Sequence, residues 1–475
     1  MVDQPPTESP GRILQASLTI SNVKLPHSDL DSATKLWKVE CRNGRVSKLS
    51  PLYFQETIIE DANNIDAKGS LMLPSLCHSH LHLDKCFILD RCGIVSGHFK
   101  EAMEVTGKAK AAFALDLDDL YRRGARLIHE SVECGVTSMR AHVEVDAIVG
   151  FACLDVAESL RDKFKMICEV QIAVFAQEPL FDAPGDTTPG PNYTLLLQAI
   201  KRDRITVIGS APYVEPTIEQ AKMNIGLIMD AGSKWGNHVD FHLDYNLDPS
   251  SEPLIYEVIA QARRNSALWS VGPGDRRHTI TVSHATRLQL FSPTQWQDLR
   301  NSMDGVPITL VGLPQSDMYM QGRSDHDLPL GPPRSTLRVP YILNNFGIEI
   351  AMGVNNIENA FTPQGSLDPL SLCTFGVAIF QSATPADIRT LIRSVTLTSK
   401  RAIGENEVYM DLLPTEGGPA DFVILHGTET LLSAVLHPSY DRTTIRAGVI
   451  VARRTSNRWF LSDRDNDSLI TSQHL

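Results

Sequence analysis

Short apolar runs rich in β-branched residues, each bounded by turn residues, recur through the middle of this chain, and few folds can accommodate them. Eight occur, at 71–74 leading into His80, 137–145, 166–175, 205–210, 238–242, 279–284, 307–313 and 348–354. Runs without polar alternation suit parallel strands covered on both faces. The segments between them are long enough for crossover helices. Segment 116–134 places Leu120, Leu127, Ile128 and Val132 on one face, and 216–235 opens with Thr217 and Glu219. Eight βα units predict an α/β fold of the closed (β/α)8 TIM type. An open doubly wound sheet would carry a Gly-rich phosphate turn after an early strand, and no GxGxxG occurs.

The ends read differently. Short alternating runs at 17–23 and 37–40 are matched near the C-terminus by 420–425 and 446–453. Strands split between the two termini can pair into one small β-sandwich against the barrel. The expected organisation is therefore 1–70 and 406–475 as the two parts of that sandwich, with 71–405 as the barrel. The stretches 184–191 and 321–335 read as long irregular loops, where a barrel keeps its substrate-facing elements.

With 44 Lys+Arg against 56 Asp+Glu, a basic nucleic-acid surface is not expected. The polar, proline-rich start lacks the apolar core of a secretory signal, and no apolar run is long enough to span a membrane. Cys41, Cys77, Cys86, Cys92, Cys134, Cys153, Cys168 and Cys373 include no CxxC pair, so they read as buried thiols in a reducing cytoplasm. The expected partner is a small-molecule substrate, without nucleic acid or membrane, and homo-oligomerisation stays open.

Chemistry concentrates at the strand ends. Cys77-His78-Ser79-His80-Leu81-His82-Leu83-Asp84-Lys85 follows the first apolar run. Side chains two apart share a strand face, so His80 and His82 can turn toward one cation, and neutral imidazole suits zinc or iron. His78 has the same parity, as a supporting group or a bystander. Taken alone, this motif is equally well explained as a solvated polar loop. His242 and His284, however, also end apolar runs, and a parallel barrel brings all C-terminal strand ends to one face.

These residues resemble the amidohydrolase superfamily, in its cytosine-deaminase-like branch, and the resemblance spans nearly the whole chain. His80-Leu81-His82-Leu83-Asp84 is similar to the family's HxHLD, and Arg140-Ala141-His142-Val143-Glu144-Val145 to its RxHVDV. Phe175-Ala176-Gln177-Glu178 is similar to FPQE, Asp240-Phe241-His242-Leu243-Asp244 to DVHCD, and Val282-Ser283-His284-Ala285-Thr286 to SHTT. Gln321-Gly322-Arg323 matches QGR, and Gly353-Val354-Asn355-Asn356 falls where the family has GHDD. The resemblance implies one divalent metal ion, zinc or iron, held by His80, His82 and His242. It implies that this ion lowers the pKa of a water that attacks a carbon bearing nitrogen, with His284 orienting the water or stabilising charge. It further implies that Gln177 recognises a ring amide and that Phe361 lines the pocket wall. Lys85, next to the first motif, is a candidate substrate contact.

Two positions depart from the family. Asn355 stands where a metal-binding, proton-accepting aspartate is expected, and Tyr245 where a proton-shuttling glutamate is expected. An amide is no base, and a phenol is a weak acid. Asp84, Glu144, Asp244 and Asp325 are carboxylates near the expected site. The expected activity is hydrolysis of a C–N bond in a small cyclic or heteroaromatic compound, with reassigned proton transfers involving His284, Tyr245 and Asn355. The alternatives are a metal-dependent isomerase, cyclase or lyase on the same fold, and a catalytically inactive binding protein.

Overall fold

The structure, a computed structural model, describes residues 17–27, 34–265, 269, 278–322, 334–457 and 459. Its centre is an eight-stranded parallel sheet in sequential order. The strands are β1 (Leu76–His82), β2 (Val136–Glu144), β3 (Glu169–Ala176), β4 (Val207–Ser210), β5 (His238–Leu243), β6 (Ile280–His284), β7 (Ile308–Gly312) and β8 (Ile350–Met352). β1 and β2 are buried along their whole length, their polar residues included, as strands covered on both faces are. Just past β8, Asn355 bridges β1 in parallel: its N–H donates to His80 O (3.2 Å), and its carbonyl accepts from His82 N–H (2.9 Å). The sheet thus closes into the expected barrel, and it closes beside the histidines. Gly353 permits the approach, since a Cβ there would lie 3.0 Å from His80 Cβ and 3.1 Å from His80 O.

The crossover helices begin and end on local signals. Asp116 accepts from the Asp119 N–H to cap Leu117–Glu133, and Thr217 accepts from Gln220 N–H to cap Ile218–Trp235. Gly236, at φ +65°, ends the latter in the left-handed conformation. All eight cysteines are buried and unpaired. Among the described residues, no helix is long and apolar enough to cross a membrane.

Two four-stranded sheets from both ends of the chain form the small composite β-structure. One runs Arg45–Leu52, Leu36–Arg42, Ser17–Val23, Asn64–Asp66; the other runs Val449–Arg454, Arg442–Arg446, Phe422–Leu425, Leu71–Pro74. Lys24 bridges Leu71 and Arg45 bridges Pro419, joining the two. One element differs from expectation. Leu71–Pro74 does not begin the first barrel strand; it pairs antiparallel with Phe422–Leu425, and the chain enters the barrel only at Leu76. An apolar run shows that a strand is buried but not which sheet buries it.

Candidate active site

β1 carries His80 and His82 past a register shift between His78 and Leu81. That bulge breaks the parity of the three histidines. His78 hydrogen-bonds Ser131 Oγ (3.2 Å) on helix Leu117–Glu133, against the barrel's outer wall, and burial lowers its pKa to about 4. His80 and His82 instead join His142 of β2 and His242 of β5. The His80 ring centroid lies 4.5 Å from that of His242 and 5.4 Å from His82, and the His82–His242 pair is at 5.1 Å. The His142 ring is 4.3 Å from His80 and 5.2 Å from His82.

Burial holds His80, His82 and His242 well below the ordinary imidazole range; neighbouring rings add to the effect at all three, and Lys85 at His80 and His82. Neutral rings keep lone pairs available for a cation. Among the described residues, His82 Nδ1 and His242 Nε2 are buried without a hydrogen-bond partner. One donor atom from each of His80, His142, Asp240 and His242 lies within 4.8 Å of all the others. These buried donors, three imidazoles and a carboxylate, fit a divalent cation such as zinc or iron. Asp240 Oδ1 is 3.2 Å from His142 Nε2, while its Oδ2 pairs with Arg140 Nη1 at 2.9 Å. Burial raises the Asp240 carboxyl, but His142 and Arg140 outweigh it and hold the group below its ordinary value.

Asn355 sits against this cluster. Its Oδ1 is 3.1 Å from His80 Nε2, and its Nδ2 donates to Ser316 Oγ at 2.7 Å. The opposite face of His80 is fixed by Ser283 Oγ, 2.8 Å from Nδ1. His284 leaves β6 at φ +68°, a conformation that turns it toward the same mouth, 5.5 Å from the His242 ring. Tyr245 covers the His284 ring at 3.8 Å. Burial, with Asp317 nearby, pushes the Tyr245 phenol well above its usual pKa.

The other expected contacts form one wall. Lys85 Nζ reaches Glu144 Oε1 (2.6 Å) and Gln177 Oε1 (3.2 Å) and lies 6.0 Å from the Phe361 ring centre. Gln177 Nε2 donates to Tyr213 Oη at 3.2 Å. Phe99 packs edge-on against Tyr213, Tyr245 and Phe361. Behind the wall, Lys110 Nζ joins Glu144 (2.8 Å), Asp146 (2.8 Å) and Glu178 (2.5 Å). Burial would lower the Lys110 pKa, but these carboxylates more than compensate and keep it charged.

The structure therefore gathers His80, His82, His242, His284, Tyr245 and Asn355 at one end of the barrel, with Gln177, Lys85 and Phe361 beside them. The spare carboxylates are spent elsewhere. Asp84 Oδ2 accepts from Glu144 N–H (2.7 Å), and Asp244 accepts from the Leu254 and Ile255 N–H groups (2.8 and 3.1 Å). Burial lifts both to about 6. Arg323 and Asp325 lie outside the described residues. Sequence reasoning gave no role to His142, Asp240, Asp317, Lys110, Tyr213 or Phe99. The first two were within reach, because Arg140, His142 and Glu144 alternate along β2 and Asp240 is two before His242.

No family model matches the chain. A 5-methylcytosine deaminase from Klebsiella pneumoniae, liganded with 5-fluorocytosine, matches with a TM-score of 0.79 at 23% identity, over 94% of this chain and 99% of that one. An N-isopropylammelide isopropylaminohydrolase from Burkholderia multivorans ATCC 17616 matches with a TM-score of 0.70 at 20% identity, over 92% and 99%. In sequence, the N-isopropylammelide isopropyl amidohydrolase of Pseudomonas sp. (strain ADP) is 20% identical over 368 residues, 77% of this chain and 82% of that one. The chain has the barrel fold of these amidohydrolase-superfamily proteins, the fold its strand-end motifs resemble.

Proposed function

We propose that this chain is a metal-dependent hydrolase of the amidohydrolase superfamily that cleaves a C–N bond in a small cyclic or heteroaromatic compound. The observation that carries this reading is the convergence of buried imidazoles from β1, β5 and β6 at one mouth of the barrel. The similar structures support it, since they include a 5-methylcytosine deaminase and an N-isopropylammelide isopropylaminohydrolase. His80, His82 and His242 would hold one divalent ion, zinc or iron. Such an ion, when bound, acts as a Lewis acid and lowers the pKa of water.

This chain's residues then orient and transfer. Gln177 presents its amide and Lys85 its ammonium at one wall, suited to a substrate edge bearing carbonyl or ring-nitrogen acceptors. Phe361 and Phe99 supply apolar surface for a flat ring. Tyr245, its phenol kept protonated, braces the face of His284 and can donate a hydrogen bond. Asn355 orients His80 without accepting a proton.

The test is metal analysis of the purified chain with a screen of N-heterocycles, including 5-methylcytosine and N-isopropylammelide, repeated on His80→Ala. A single ion per chain, release of ammonia or amine, and loss of both in His80→Ala are expected. A chain that stays metal-free after loading with zinc, iron and manganese would overturn the reading. Loss of turnover in Asn355→Asp would favour a non-hydrolytic Lewis-acid reaction instead.

A further inference from the structure

The buried carboxylate at position 317 has no counterpart in the motifs, yet it points at a site histidine. Asp317 lies in Pro314–Met320, just after β7, and is fully buried. Its Oδ1 is 3.0 Å from His284 Nδ1, and its Oδ2 accepts from Thr336 Oγ1 at 2.7 Å and from Leu313 N–H at 3.3 Å. An ionised carboxylate only accepts, so it selects the tautomer with hydrogen on His284 Nδ1 and leaves the lone pair on Nε2. The ring it orients faces His242 at 5.5 Å and His80 at 5.9 Å. The group expected to accept a proton there is an amide, already engaged with His80 and Ser316. Asp84 and Asp244 are bound to backbone N–H groups, Glu144 to two lysines and Asp240 to Arg140.

We infer that Asp317 is a positioning residue that fixes His284 as the proton acceptor replacing the carboxylate missing at Asn355. The inference rests on the hydrolase reading above. In the step, a water O–H bond breaks, its proton passes to His284 Nε2, and its oxygen bonds to the substrate carbon. The imidazolium, stabilised by Asp317, then gives that proton to the leaving nitrogen as the C–N bond breaks. Hydroxyl ends on carbon and hydrogen on nitrogen, so no further reactant is needed.

The test uses the full chain, labelled with ¹⁵N-histidine and loaded with zinc. Two-bond ¹H–¹⁵N correlations report each histidine's tautomer, and His284→Gln assigns the signal. Nδ1–H is expected for His284 in the unmodified chain. In Asp317→Asn the amide oxygen should keep the Leu313 N–H, turning the NH2 group toward His284 and forcing the Nε2–H tautomer. Zinc content should hold, while kcat on a substrate from the screen falls about 10²-fold or more with KM little changed. An Nε2–H signal in the unmodified chain would overturn the inference, and that measurement needs no Asp317 variant to fold. Unchanged kcat in Asp317→Asn despite the tautomer switch would also overturn it. Failure of the chain to take up zinc would instead strike the hydrolase reading itself.

Discussion

His82 and His142 compete for one role, and metal loading of their variants decides between them. His142 lies between Leu81 O, 3.4 Å from Nδ1, and Asp240 Oδ1, 3.2 Å from Nε2. His82 Nδ1, His142 Nε2 and Asp240 Oδ1 are all buried without a hydrogen-bond partner among the described residues. In the proposed set of His80, His82 and His242, His142 and Asp240 act as support beside the ligands. His82→Ala should therefore abolish stoichiometric metal loading, while His142→Ala should weaken affinity about 10–100-fold and still load at saturating metal. Titration with zinc, read by metal analysis after desalting, checks this. The reverse result would place the ion among His80, His142, Asp240 and His242. What was legible at this scale follows from position. His80, His82, His242 and His284 each end an apolar run, so the barrel rule alone brings them together. Asp317 sits on a short helix with no strand parity to flag it, and only the folded chain brings it to His284. His78 shows the converse, since a bulge invisible in sequence turns it away from its neighbours.

The loop after β1, which carries Lys85, is anchored by a helix as well as by barrel strand β2. Arg123 of Leu117–Glu133 donates from Nη1 to the carbonyls of Asp84 (2.6 Å) and Cys86 (2.8 Å). Asp119, one turn earlier, accepts from Arg123 Nε (2.9 Å) and bidentately from Arg91 (2.7 and 2.8 Å). The Arg91 hydrogen bonds first, and Arg123 with them, hold the Asp119 carboxyl well below its usual range. Between that depressed pKa and the ordinary value of about 4, the unfolded chain binds the proton and the folded chain does not. Asp119 thus stabilises the fold above pH about 4 and loses this contribution as pH falls toward its folded pKa. Arg91 is exposed enough for solvent to screen the pair, so Asp119→Asn should cost on the order of 1 kcal/mol at pH 7. Urea unfolding at pH 7 and in acid should show that deficit shrinking as pH falls, and a deficit independent of pH would contradict the assignment. The helix itself was readable from its apolar face, and the structure adds its Asp116 cap. Leu71–Pro74 was not, because a fully buried four-residue run carries no alternation to reveal its partner.

At the scale of the molecule, the terminal sheets and the barrel are joined by buried polar contacts as well as by chain connection. Arg442, on a C-terminal strand and with its side chain 1% exposed, donates from Nη1 to Cys134 O at the end of Leu117–Glu133 (2.6 Å). It also pairs with both oxygens of Asp368 (2.7 and 2.6 Å), which caps Pro369–Phe380 by accepting from Leu370 N–H. Thr444 Oγ1 adds a bond to Val132 O at 2.7 Å. One guanidinium thus ties the sheet made by the chain's end to two barrel helices distant in sequence. Removing it leaves a buried carbonyl and a mostly buried carboxylate without their partner, a loss of about 3–5 kcal/mol for a buried pair. Leu71–Pro74 belongs to this sheet and runs directly into β1, so the sheet cannot unravel without pulling on the strand that carries His80 and His82. Arg442→Ala should therefore lower the urea midpoint of the whole chain in a single transition, with far-UV circular dichroism and tryptophan fluorescence coinciding. Two separated transitions would mean that the terminal sheets unfold on their own and that the barrel keeps its histidine cluster without them.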